Sequence, residues 1–178
     1  QETATTTQTK TRAMTLAVIA LGANIDAPIE RLAEAYAHVS KMADFSVLDV
    51  SPIYQSPPMG PEDQPPYFNA VLSGEYTGEP LPLLRALQKI EASMGRVKTR
   101  HWGERCIDLD IIQLGDCVVH LPSLQIPHPG FRSRLFVVQP MIDILGADHR
   151  VPGLPELGTL REALSDDTLT LCPNTALG

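Results

Sequence analysis

Residues 107–112, Ile-Asp-Leu-Asp-Ile-Ile, begin as a strict alternation of apolar and acidic side chains. A strand turns that period of two into two faces, because side chains at i and i+2 share a side. Asp108 and Asp110 therefore point one way, while Ile107, Leu109 and Ile111 point the other way, into a core. The stretch calls for a sheet that is buried on one face and carries two adjacent carboxylates on the other. Such carboxylates repel each other, and a hard, oxygen-seeking cation such as Mg²⁺ or Mn²⁺ relieves the repulsion. Mg²⁺ typically shares its site with substrate phosphates. For Asp-x-Asp alone, a solvated strand face is an equally simple reading. Residues 96–105 shift the balance, because they hold four basic side chains, Arg96, Lys98, Arg100 and Arg105, with His101 and the only tryptophan, Trp102. A basic loop beside paired carboxylates points to a metal–phosphate site.

The rest of the chain supplies a scaffold for that strand. Residues 1–13 are Thr- and Gln-rich and read as a disordered tail, followed by one domain over 14–178. Thr15 to Leu21 is an apolar run of strand length, with Gly22-Ala23-Asn24 as the turn after it. Ile29, Leu32, Ala33, Tyr36, Val39 and Met42 recur at helical spacing, giving a helix over 28–43 with Pro28 in its first turn. A strand over 45–54 follows, then a stiff loop over 55–66 with five prolines, then a strand over 67–75. Leu81, Leu84, Leu87, Ile90 and Met94 form the stripe of a second helix closed by Gly95, with Gln88 and Glu91 sharing a polar face. After the Asp strand come a short partner strand at 117–119 and a Pro- and His-bearing loop over 121–130. A helix over 134–145 interrupted by Pro140 follows, then a short helix opened by Thr159 to Glu162. The order β-α-β-β-α-β is the ferredoxin-like α+β plan, an antiparallel sheet with helices on one face, here with an extra strand and C-terminal helices.

Composition narrows the function. The net charge of −7 argues against nucleic acid, yet six of the fourteen Lys and Arg fall between residues 96 and 134. A basic middle in an acidic chain suits a small anionic ligand. No apolar run approaches bilayer length and no signal-peptide pattern is present, so no membrane partner is expected. Cys106, Cys117 and Cys172 form no C-x-x-C pair and fit a reducing cytoplasm. On residues alone, a ferredoxin-like module that binds nucleotide without chemistry stays open. So does a Mg²⁺-dependent phosphotransferase acting on another flat alcohol.

The run Trp102 to Ile112, with Arg105 three residues before Asp108, resembles the signature of the 6-hydroxymethyl-7,8-dihydropterin pyrophosphokinase family. The similarity extends over residues 14–158: Leu21 to Asn24, Ser56 to Pro61, Gln64 to Val71, Gln88 to Glu91, Met94 to Arg96, Pro127 to Pro129 and Arg134 to Phe136. Ala23 stands where the family's opening turn has Ser. The resemblance implies transfer of pyrophosphate from ATP to the hydroxymethyl oxygen of the dihydropterin, leaving AMP, in tetrahydrofolate biosynthesis. It implies that Asp108 and Asp110 hold two Mg²⁺ ions, and that Arg96 and Arg105, on a closing loop, neutralise transferring charge. Gln88, Glu91, Lys98, Ile111, His128, Arg132 and Arg134 would face ATP. Ser56, Pro57, Met59 and Asn69 would hold the pterin edge, and Tyr67, Trp102 and Phe136 would cover its ring. Other folate-pathway enzymes are the expected protein partners.

Overall fold

The computed structural model describes residues 13–58, 60, 63–95, 106–165, 167–173, 175 and 177–178. The expected tail at 1–13 therefore lies, except for residue 13, outside the described residues.

Eight strands and four α-helices follow in the order β1 (Thr15–Ala23), α1 (Pro28–Ser40), β2 (Phe45–Val50), β3 (Tyr54–Ser56), β4 (Tyr67–Tyr76), α2 (Pro80–Ser93), β5 (Asp108–Leu114), β6 (Val119–Leu121), β7 (Leu124–Ile126), α3 (Leu135–Leu145), α4 (Leu157–Glu162) and β8 (Thr170–Leu171). The main sheet runs β5-β1-β4-β3-β8, with β2 also on β4, and its pairs are antiparallel. Taking β2 and β3 as one interrupted strand, this is the strand order of the ferredoxin-like plan.

The expected strand at 45–54 breaks at Pro52, which has no N–H to give a ladder. Ser51 bridges the gap: its N–H donates to Val71 O at 2.9 Å, and its Oγ accepts from Val71 N–H at 2.9 Å. β1 runs two residues into the expected turn because Gly22 and Ala23 both pair with β4. The short strand expected at 117–119 lies at 119–121 and pairs with β7 inside the expected loop, as a separate hairpin. The residues expected to open the last helix, Thr159 to Glu162, lie within α4 instead, whose N-cap is Glu156. β8, an exposed two-residue edge, carried no sequence signal.

The helices divide between the two faces. α1 and α2 bury Leu32, Ala35, Val39, Leu83, Leu87 and Ile90 against Ile19, Leu21, Leu72, Leu109 and Ile111. The helix stripes differ from expectation by small rotations. Ala35 is buried where Ala33 was expected, and Leu83 is more deeply buried than Leu81 or Leu84. Gly95 follows the last turn of α2 with φ +83°, a left-handed conformation that glycine adopts without a Cβ penalty. On the opposite face, Phe131 and α3 and α4 (Val137, Val138, Met141, Leu157, Leu160) cover Val18, Ala20, Val71 and Ile112. Pro140 lies inside α3 and is buried. This second face is only partly covered, and a cavity opens at the first turn of α3.

Candidate active site

The strand register builds the site as a row. Tyr54 on β3 stands opposite Asn69 on β4, Asn69 opposite Gly22 on β1, and Gly22 opposite Asp108 on β5. Neighbouring strands lie about 4.8 Å apart, so the row places a side-chain amide and a carboxylate roughly 10 Å apart with a residue lacking a side chain between them. Gly22 is required there: a Cβ would meet Asn69 Nδ2 at 2.6 Å. Above this row is a cavity of about 300 Å³. β1 and Asp108, Asp110 and Ile112 of β5 line it, together with Tyr67 and Asn69 of β4. Ser56 and Pro57 enter from the end of β3, His128 and Arg134 from the segment before α3, and Phe136 and Val137 from its first turn.

At one end the cavity asks for hydrogen-bond donors. Asn69 is only 6% exposed. Its Nδ2 makes a long contact, 3.5 Å, to Leu21 O, and its Oδ1 is buried without a partner among the described residues. Ser56 Oγ is likewise buried and without a partner among the described residues. Leaving such a group unpaired costs about 1–3 kcal/mol, so two of them lining one cavity mark where a polar ligand edge belongs.

At the other end the cavity is acidic. Burial, then the neighbouring Asp108, pushes the Asp110 carboxyl up to about 7 against the pull of Arg134, and Asp108 and Asp110 share a hydrogen bond. Glu91 adds to the push and is itself 4% exposed. Its Oε2 accepts the N–H of Leu109, between the two Asp, at 2.9 Å. His128 is anchored by its N–H to Ile112 O at 3.0 Å, and its Nδ1 accepts the Gly130 N–H at 3.1 Å. Burial and then Arg134 push its pKa down, with Asp108 opposing. The ring is therefore held neutral with Nε2–H as the remaining donor.

A buried latch holds the proline-rich loop beside this cavity. Asn24 donates through Nδ2 to Gln64 Oε1 and Pro65 O, both at 3.1 Å, and so ties the end of β1 to the residues entering β4.

Of the residues named from sequence, Ser56, Pro57, Tyr67, Asn69, Asp108, Asp110, His128, Arg134 and Phe136 meet at the cavity. Ile111 is a correction: strand alternation turns its side chain into the α1/α2 core, and Ile112 stands in the cavity wall. Gln88 and Arg132 are exposed and outside the wall. Glu91 is buried beneath the acidic pair rather than on a solvated helix face, and holds the strand through Leu109. Met59, Arg96, Lys98, Trp102 and Arg105 lie outside the described residues. Ala20, Leu21, Gly22, Ile112 and Val137 complete the wall and were missed. Ile112 was legible as the next position on the Asp108–Asp110 face, whereas Gly22 gave no sign before its contact with Asn69 was seen.

Comparison with known proteins agrees with this geometry. The family model of 7,8-dihydro-6-hydroxymethylpterin-pyrophosphokinase (HPPK) matches residues 18–146. The chain is 43% identical over 131 residues to the 2-amino-4-hydroxy-6-hydroxymethyldihydropteridine pyrophosphokinase of Haemophilus influenzae, covering 74% of this chain and 82% of that one. It is 41% identical over 142 residues to the enzyme of the same name from Pseudomonas aeruginosa, covering 78% and 87%. Among solved structures, wild-type Plasmodium falciparum HPPK-DHPS with pteroate superposes with a TM-score of 0.67 at 13% identity, over 85% of this chain and 44% of that longer one, a likeness of fold. Sequence, fold and cavity converge: the chain belongs to the 6-hydroxymethyl-7,8-dihydropterin pyrophosphokinase family and carries its activity, pyrophosphoryl transfer to the hydroxymethyldihydropterin in folate biosynthesis.

Proposed function

We propose that the reaction is Mg²⁺-dependent, that the pyrophosphoryl group comes from ATP with AMP as the second product, and that the cavity divides the work between its two ends. One observation carries this reading. The only side-chain-free position in the row, Gly22, separates an amide oxygen without a partner among the described residues from a carboxylate pair joined by a hydrogen bond.

The donor set fits Mg²⁺. Asp108 and Asp110 are hard oxygen ligands whose repulsion a cation relieves. Among the described residues no third His, Cys, Asp or Glu joins them in a metal cage. A carboxylate pair is what Mg²⁺ takes when phosphate oxygens supply the remaining positions. Bound there, two Mg²⁺ ions would neutralise charge on the triphosphate.

The chain's own residues do the rest. Asn69 Oδ1 and Ser56 Oγ would pair with the donor/acceptor edge of the pterin, and Tyr67 and Phe136 would cover its flat ring. A cavity of about 300 Å³ suits a bicyclic ring, at the small end of ligand sites. His128 Nε2–H and the Arg134 guanidinium would hold phosphate oxygens. Arg96 and Arg105, by family resemblance, would add positive charge as it develops on the transferring group. Catalysis here is positioning and charge stabilisation, with water kept from the triphosphate. Among the described residues no helix is long and apolar enough to cross a membrane, and the HPPK-DHPS fusions support a neighbour from the same pathway.

A product assay tests the proposal. The protein is mixed with Mg·ATP, with and without 6-hydroxymethyl-7,8-dihydropterin, and AMP is separated from ADP. AMP that requires both the pterin and Mg²⁺ is the expected result. ADP, or turnover unchanged by EDTA, would refute it.

A further inference from the structure

The row that carries Asn69, Gly22 and Asp108 has a fourth member outside the cavity wall. Tyr54, directly opposite Asn69, donates its phenolic O–H to Asp143 Oδ2 on α3. The other oxygen of Asp143 accepts from Gln139 Nε2 at 3.0 Å, and Gln139 Oε1 accepts from Arg161 Nε on α4 at 2.8 Å. Both carboxylate oxygens are thereby used, and a polar chain runs from the sheet edge across α3 to α4.

The spacing along both elements gives this chain its meaning. Phe136, Gln139 and Asp143 stand at i, i+3 and i+7 of α3, so they share one face. Tyr54 and Ser56 stand at i and i+2 of β3, so they share one side of the strand. Strand and helix therefore meet in two rungs. One rung, Tyr54 to Asp143, is closed by a hydrogen bond. The other is open: Ser56 and Pro57 from β3 and Phe136 and Val137 from α3 line the cavity between the two elements. The distance between β3 and α3 at the closed rung sets the gap at the open one. Burial first, and then the bond and charge of Asp143, push the Tyr54 pKa up, which favours the protonated phenol that donates in this rung.

We propose that Tyr54, through Asp143, is a positioning residue that fixes the width of the slot between β3 and α3 and thereby selects for the thickness and substituents of the flat substrate ring. Neither residue touches the cavity, and neither lies near the acidic pair that handles phosphate. The effect therefore falls on the ring and not on the nucleotide. The inference rests on the pterin reading of the cavity.

The experiment compares Tyr54→Phe, Asp143→Ala and the double variant with the wild-type chain. It measures KM for the dihydropterin, KM for ATP, kcat, thermal midpoint, and relative kcat/KM for a dihydropterin bearing one extra ring methyl group. Each single variant is expected to raise the pterin KM by about tenfold, leave the ATP KM and kcat within about twofold, and weaken discrimination against the methylated ring. The double variant should be no worse than either single one, because both remove the same bond. A lowered thermal midpoint with unchanged pterin KM and selectivity would overturn the proposal, as would equal rises in both KM values. Should one single variant fail to fold, the other removes the same bond and is read alone. Absence of AMP from the wild-type protein would instead overturn the pterin reading.

Discussion

The two faces of the sheet are built from the same strands and do opposite things. On the α1/α2 side, Ile19, Leu21, Leu72, Leu109 and Ile111 meet helices that bury them throughout. On the α3/α4 side, Val18, Ala20, Val71 and Ile112 are covered by α3 and α4, but the rows beyond them, with Asn69, Gly22 and Asp108, are left to a cavity. The alternation of a strand makes this division possible: one residue anchors the fold and the next serves the ligand. The sealed face packs its apolar surface against helices, and the open face holds Ser56 Oγ and Asn69 Oδ1, buried without a partner among the described residues.

The largest expected effect breaks the open face alone. Asp108→Ala or Asp110→Asn should lower kcat by about 10³-fold or more, with the fold retained by circular dichroism. Unfolding would instead make the pair structural. Asn69→Leu should raise the pterin KM by about 100-fold while leaving thermal stability equal or higher, because an orphaned amide oxygen is removed. A destabilised variant with normal KM would contradict this. Leu87→Ala is the mirror test on the sealed face. It should cost about 2–5 kcal/mol of stability by denaturant titration, with KM values unchanged for the folded fraction.

A smaller effect is read through pH. Asp110 binds its proton more tightly in the folded chain than its ordinary value of 3.8 allows. That contribution to stability is full below about pH 4 and is lost as pH rises through about 7. Without divalent cations, the thermal midpoint should therefore fall by a few degrees between pH 5.5 and 8, and Mg²⁺ should raise it more at pH 8. Asp110→Asn should flatten the slope. A midpoint that rises with pH in the wild-type protein would refute this assignment. The smallest effect concerns the latch: Asn24→Ala should cost about 1–2 kcal/mol and modestly raise the pterin KM, measured by melting and by initial rates.

Sequence made the sealed face and the acidic pair readable, because both follow from periodicity. Period two placed Asp108 and Asp110 together and Ile111 in the core, and the same argument carried one step further puts Ile112 in the cavity wall. The helical period placed α1 and α2, but it could not show that Glu91 turns inward. That depends on a backbone N–H, Leu109's, that a neighbouring strand brings within 2.9 Å. Asn69 looked like a solvent-facing residue because its burial is made by β1, β3 and the loop latched by Asn24, none of which is local to it. β8 was hidden for the same reason, since it pairs with distant β3, whereas the split of β2 from β3 was legible in Pro52. The Tyr54–Asp143 rung joins residues 89 positions apart and leaves no local pattern at all.

The order in which the two faces are covered has a consequence for synthesis. Most of what seals the α1/α2 face lies in residues 15–114, with Leu124 and Ile126 added from β7, whereas the other face waits for Phe131, α3 and α4. Chains emerge from the ribosome at roughly 5–20 residues per second and fold from the N-terminal side first. A nascent chain can thus hold the sheet from β5 to β3 with one face largely covered while Val18, Ala20, Val71 and Ile112 are still bare. The catalytic side is the last part of the molecule to be roofed, so ribosome stalling or truncation near residue 130 would yield a folded half that is sticky and inert.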